Sequence, residues 1–462
     1  MTLIKSISGI RGTIGGKPEE NLTPLDAVKF AAAYGTFIKQ QRDKDSYRVV
    51  VGRDARISGE MIQQLVMNTL VGLGIHVIDL DLSTTPTVEI AVPMEHADGG
   101  IILTASHNPK QWNALKLLNE KGEFLNAAQG EKILQIAKAA DFNFAEVDYL
   151  GEILKNEAYI DIHIDEVLDL DLVDADAIRT SNFKVVVDGV NSTGGIAIPM
   201  LLERLGVHCV KLYCEPTGQF PHNPEPLKEH LGDICDKVVE EKADFGIVVD
   251  PDVDRLAFIT EKGEMFGEEY TLVACADYVL GETKGNTVSN LSSSRALRDI
   301  TQKHGGDYYA SAVGEVNVVE LMKEKDAVIG GEGNGGIIYP ELHYGRDSLV
   351  GVALFLTLLA QRKIDVSALR ESYPTYFMSK KKIKLTPGLD VDNILKTIAE
   401  RYKDEEVSTA DGVKIDFKNH WIHLRKSNTE PIIRIYTEAE NQEKADKIAD
   451  EMITEIKQVA GI

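Results

Sequence analysis

The sequence predicts an α/β protein built of three similar α/β domains with mixed sheets, followed by a smaller C-terminal α+β domain. Two observations carry this reading. Short β-branched runs alternate with longer amphipathic stretches, and strand–helix–strand order recurs near residues 48–103, 184–249 and 287–330. After residue 380 the pattern changes to four extended runs and one terminal helix. The order of these elements places domain boundaries at 1–152, 153–260, 261–372 and 373–462.

In chain order, residues 24–40 read as the first helix and 48–51 as a strand. A helix over 59–73 closes on Gly72 and Gly74, and 75–79 reads as the next strand. Further strands are expected at 100–103, 184–187, 245–249 and 327–329. The apolar run 349–360 is too short to span a bilayer and reads as a buried helix. Strands at 380–385, 413–417, 421–425 and 432–437, then a polar helix over 442–459, complete the last domain.

Composition narrows the function. The chain has 462 residues and a formal net charge of -23, which argues against general attraction to nucleic acid or an anionic membrane. An anionic substrate would need a locally basic pocket. Four scattered cysteines without metal spacing, and an N-terminus without an export signature, fit a cytoplasmic protein.

Four segments carry candidate chemistry. Ala105-Ser106-His107-Asn108-Pro109 directly follows the apolar run GGIILT, where an α/β sheet commonly holds its ligand. A Ser–His hydrolase is disfavoured, because adjacent residues of an extended segment point to opposite faces and GxSxG is absent. A polar turn remains the simpler local reading. Asp250-Pro251-Asp252-Val253-Asp254-Arg255 follows FGIVV, and three alternating carboxylates in a loop can converge on a hard cation. An EF-hand fails because Arg255 stands at the glycine position between strand-like flanks. An aspartyl phosphatase would need Thr or Val where Asp254 stands, and an acidic surface turn is the remaining alternative.

Gly330-Gly331-Glu332-Gly333-Asn334-Gly335-Gly336 fits neither a Walker nor a Rossmann loop. Its glycines would let the backbone approach a ligand while Glu332 accepts hydrogen bonds from hydroxyls. Arg425-Lys426-Ser427-Asn428-Thr429-Glu430-Pro431, with Arg434 beyond it, is either a dianion cradle or a basic hairpin tip.

TASHNP, DPDVDR, GGEGNGG and RKSNTEP, with GIRG at 9–12 and NALK at 113–116, resemble in order the loops of the α-D-phosphohexomutase family. The resemblance implies four domains around a central cleft, each supplying one loop. It implies a phosphoserine at Ser106, and one magnesium ion per site held by Ser106, Asp250, Asp252 and Asp254. Arg11, Lys116, His107 and Arg255 would serve catalysis. Glu332 and Asn334 would meet sugar hydroxyls, and Arg425, Ser427, Asn428, Thr429 and Arg434 would hold the phosphate that is not transferred. A hexose 1,6-bisphosphate would be the intermediate and activator, in a monomer or homodimer. Ala114 replaces a usual Gly and Asn334 a usual Ser. Glu315 after Gly314, where many glucose- and mannose-phosphate mutases carry His, resembles members acting on glucosamine 6-phosphate.

Overall fold

The computed structural model describes residues 2–6, 9–384, 389–426 and 432–461. The first sheet has seven strands in the order Ile4–Ser6, Gly9–Thr13, Trp112–Leu118, Gly99–Leu103, Tyr47–Arg53, Ile75–Leu82 and Ile153–Lys155. Its Gly99–Leu103, Tyr47–Arg53, Ile75–Leu82 and Ile153–Lys155 strands run parallel, whereas Trp112–Leu118 runs antiparallel to Gly99–Leu103. The edge strand Ile153–Lys155 joins this sheet from just beyond the expected boundary at residue 152.

The second sheet orders Leu256–Thr260, Phe245–Val249, Lys184–Asp188 and His208–Leu212, with only the first strand antiparallel. The third orders Tyr308–Ser311, Asn286–Asn290, Ala327–Glu332 and Gly336–Ile338, again with one antiparallel edge. All five strands of the fourth sheet are antiparallel, and the helix Gln442–Ala460 packs on it. The fold is therefore three similar mixed α/β units and an α+β unit, as the sequence pattern requires.

Local chemistry explains the boundaries. Pro24–Gln41 starts on Thr23, whose side chain accepts from Asp26 N while Asp26 caps Thr23 N in return, and a proline occupies the first turn. Ser348–Arg362 starts on Asp347, which accepts from Leu349 N at 2.8 Å. The strand read as 327–329 extends to Glu332. The glycines of GGEGNGG are thus the last residues of one strand and the turn into Gly336–Ile338, instead of a free loop.

Cores follow the sheets with one exception. A single apolar cluster joins the second and third units: Ile160, Ile164 and Val187 pack with Phe258, Val279, Leu354 and Leu359. Every residue from Ser348 to Ala360 is buried, because this helix lies between elements of both units. None of the described helices is long and apolar enough to cross a membrane.

Candidate active site

Ser106 sits just past the strand Gly99–Leu103 with a left-handed backbone, φ 48°. That conformation is strained for a non-glycine residue and must be held by its surroundings. Arg56 supplies much of the holding. Its guanidinium donates to the carbonyls of Pro109 at 2.8 Å, Trp112 at 3.1 Å, Asn108 at 2.7 Å and Ser106. Arg56 Nε donates to Asp54 at 2.9 Å, and the side chains of both residues are fully buried. Thr104 completes the frame, donating to Asp54 and accepting from Ser106 N at 2.9 Å.

The Ser106 hydroxyl donates to Asp250 Oδ2 at 2.8 Å, bringing the loops of the first and second sheets together. His107 Nδ1 lies 3.4 Å from the same hydroxyl. The sequence argument against this contact assumed an extended backbone, and the left-handed turn at Ser106 removes that premise. Burial, reinforced by Arg255, pushes the His107 imidazole down to about 2, so it is neutral near pH 7.

Asp250, Asp252 and Asp254 are all buried, and one oxygen from each lies within 4.8 Å of the others. Asp252 Oδ1 and Asp254 Oδ1 are buried without a hydrogen-bond donor. Two bare carboxylate oxygens in a desolvated cluster fit a hard divalent cation. Burial and the neighbouring Asp254 and Asp252 raise Asp250 well above the usual carboxylate range. Burial alone would also raise Asp254, but Arg346, Lys116 and Arg255 outweigh it and hold Asp254 low.

Lys116, on the strand Trp112–Leu118, donates to Asp252 Oδ2 at 2.7 Å and Asp254 Oδ2 at 3.3 Å. Burial opposes its charge, yet the two carboxylates prevail and raise its pKa, so it is a fixed ammonium. Arg255 pairs with Glu225 at 3.1 Å, and its backbone N–H donates to Asp250 Oδ1 at 3.1 Å. Arg11 is felt by the same cluster: burial and then Arg255 lower its pKa, while Asp252 opposes them.

Glu332 Oε1 accepts from Asn290 Nδ2 at 2.8 Å and Gly314 N at 3.2 Å. Its Oε2 accepts from Arg346 at 2.9 Å and more distantly from Asn334 Nδ2 at 3.5 Å. Glu315 does not present an unpaired charge. Arg346 donates to it through its backbone N at 2.9 Å and Nε at 3.1 Å. The reading of Glu315 as a free partner for an amino sugar therefore loses its direct basis.

Arg425 and Arg434 face each other across paired strands of the fourth sheet. Arg425 Nε donates to Asp411 at 2.7 Å, and the same Asp411 oxygen accepts from Val313 N of the third unit at 3.0 Å. Ser427, Asn428 and Thr429 lie outside the described residues. Sequence reasoning missed Arg56, Asp54, Asn290 and Arg346. Of these only Asp54 and Arg56 carried a signal, as a charged pair directly after the strand Tyr47–Arg53.

A serine hydroxyl facing a buried carboxylate cluster, with basic side chains around it, on three α/β units and one α+β unit, suits phosphoryl-transfer chemistry. The comparisons agree over the whole chain. The phosphoglucomutase/phosphomannomutase alpha/beta/alpha domains I, II and III match residues 3–144, 159–263 and 267–376, and the C-terminal domain matches 381–455. The protein belongs to this family, the α-D-phosphohexomutases. A phosphoglucomutase/phosphomannomutase of Thermococcus kodakarensis is 36% identical over 94% of this chain and 95% of its own. A phosphoglucosamine/phosphogalactosamine mutase of Sulfurisphaera tokodaii is 32% identical over 98% and 97%. A crystal structure of a family member from Burkholderia thailandensis superposes with a TM-score of 0.85 at 25% identity, covering 99% of this chain and 98% of that one.

Proposed function

We propose that this phosphohexomutase interconverts glucosamine 6-phosphate and glucosamine 1-phosphate through a phosphoserine at Ser106 and a 1,6-bisphosphate intermediate. The observation that carries the mechanism is the Ser106 hydroxyl 2.8 Å from Asp250, beside two donorless oxygens of Asp252 and Asp254. Those aspartates, with an oxygen of phosphorylated Ser106, would hold magnesium, which when bound neutralises charge on the phosphoryl group.

Phosphoryl transfer needs positioning and charge compensation more than a strong base. Lys116 holds its proton firmly beside the aspartates, which suits it to stabilise developing charge and to return a proton to an alkoxide. Arg11 and Arg255 add positive charge around the serine. Neutral His107, 3.4 Å from the hydroxyl, is a weak base at its depressed pKa and is suited to orient the serine hydroxyl as a hydrogen-bond partner. Glu332 and Asn334 would orient the sugar hydroxyls. Arg425 and Arg434, with Ser427, Asn428 and Thr429, would hold the second phosphate while the intermediate turns over.

Amino-sugar preference rests on the name of the Sulfurisphaera relative. Glucose or mannose phosphates are a second reading, favoured by the pairing of Glu315 with Arg346 and by the name of the Thermococcus relative. Mutase assays on glucosamine, glucose and mannose 6-phosphates, with magnesium and a trace of bisphosphate, separate the two. Ser106→Ala should lose at least about a thousandfold in kcat and all phosphoserine by mass spectrometry. Full activity in that variant would sink the mechanism.

A further inference from the structure

Arg346 has no assigned part in the reaction, yet it touches two functional segments at once. It precedes the buried helix Ser348–Arg362 and is itself buried. One guanidinium serves three carboxylates from separate stretches of chain: Asp254 at 2.7 Å, Glu332 at 2.9 Å and Glu315 at 3.1 Å. Asp254 belongs to the cation cluster of the second unit, and Glu332 to the sugar-facing strand end of the third.

The segment that carries Arg346 is tied down by backbone hydrogen bonds. Residue 346 bridges to Ile338, Asp347 N donates to Ile337 O at 2.8 Å, and Ser348 N donates to Val253 O at 3.2 Å. Val253 lies between Asp252 and Asp254, so the backbone of the arginine segment is tied to the cation loop as well. Space for the side chain is made at Gly336, where a Cβ would stand 2.3 Å from Arg346 Cδ. A planar fork that satisfies two carboxylates through different nitrogens fixes their separation, which a lysine point charge cannot do.

We propose that Arg346 is a positioning residue that couples the cation-binding aspartates to the sugar-binding Glu332, so that disturbing the sugar side loosens the cation side. The inference rests on the proposed function in taking the aspartates as the cation site and Glu332 as the sugar contact. Glu332 makes no contact with the three aspartates that could serve as an alternative route among the described hydrogen bonds; Arg346 is the shared partner.

The test is calorimetric titration of MgCl2 into the full-length wild type, Arg346→Lys, Glu332→Gln and the double variant, with melting temperatures recorded alongside. Arg346→Lys should weaken magnesium binding by about tenfold or more, the usual scale for losing a residue that orients a ligand. Glu332→Gln, although outside the cation cluster, should weaken it by about threefold. The double variant should bind no more weakly than Arg346→Lys, since the route is already cut. Unchanged magnesium affinity in Glu332→Gln, whatever Arg346→Lys shows and with a wild type that binds, overturns the coupling and leaves the proposed function standing. Additive losses in the double variant overturn it too. A wild type that binds no divalent cation refutes both the coupling and the metal-assisted reading.

Discussion

Replacing Arg56 by Met should unlatch the serine loop, and its cost can be worked from the contacts. Five hydrogen bonds disappear: one to Asp54 and four to the carbonyls of Ser106, Asn108, Pro109 and Trp112. Asp54 would remain fully buried with its main cationic partner gone; burial already raises its pKa, and Arg56 is the largest influence opposing that rise. Removing one member of a buried charge pair costs about 3–5 kcal/mol. In a unit of this size, each kcal/mol lowers the melting temperature by about 2–4 °C. A fall of about 6–20 °C is therefore expected. Because the same bonds hold Ser106 in its left-handed turn, kcat measured well below the melt should fall by about a hundredfold. Circular dichroism melting, mutase assays and hydrogen exchange over residues 104–112 would measure all three. A melting shift below about 2 °C with wild-type exchange and activity would refute the view that Arg56 holds the loop.

Two further outcomes follow from charge and burial. Lys116→Met should lower kcat by about a hundredfold or more. The same variant should bind magnesium at least as tightly as the wild type, because a competing ammonium has left Asp252 and Asp254; weaker binding would contradict that geometry. His423 is pushed down to about 4 by burial, below the unfolded value near 6.5. The unfolded chain therefore takes up the proton first as pH falls, and stability present above about 6.5 is lost toward pH 4, by up to about 3 kcal/mol. His423→Gln should melt with a shallower decline between pH 7 and 4.5, and an unchanged slope would exclude His423 as its source.

What the sequence disclosed depended on whether a signal was local. Apolar runs ending in polar clusters placed Ser106 and the aspartates at strand ends, because a strand's buried faces and its terminating turn are written in consecutive residues. The unbroken run 349–360 identified a buried helix for the same reason. Arg346 was invisible because its carboxylate partners are assembled by the fold from distant segments, and at Arg56 only the pairing with nearby Asp54 was written locally, not the carbonyls it holds. His107 was misjudged by applying strand alternation to a residue pair whose first member has φ 48°. Glu315 was read by its charge alone, whereas the cation beside it comes from a residue thirty-one positions later.

The apolar cluster shared by the second and third units has a consequence for how this chain can be cut and recombined. Family boundaries fall between residues 263 and 267, but Leu354 and Leu359 lie in one core with Ile160 and Val187. A graft that exchanged only one of the two units with a relative would marry mismatched halves of a single interior. The transplantable module is the stretch from about Tyr159 to Tyr373, moved whole. Exchanging the strand end at Glu332 by such a graft means carrying the aspartate loop along with it.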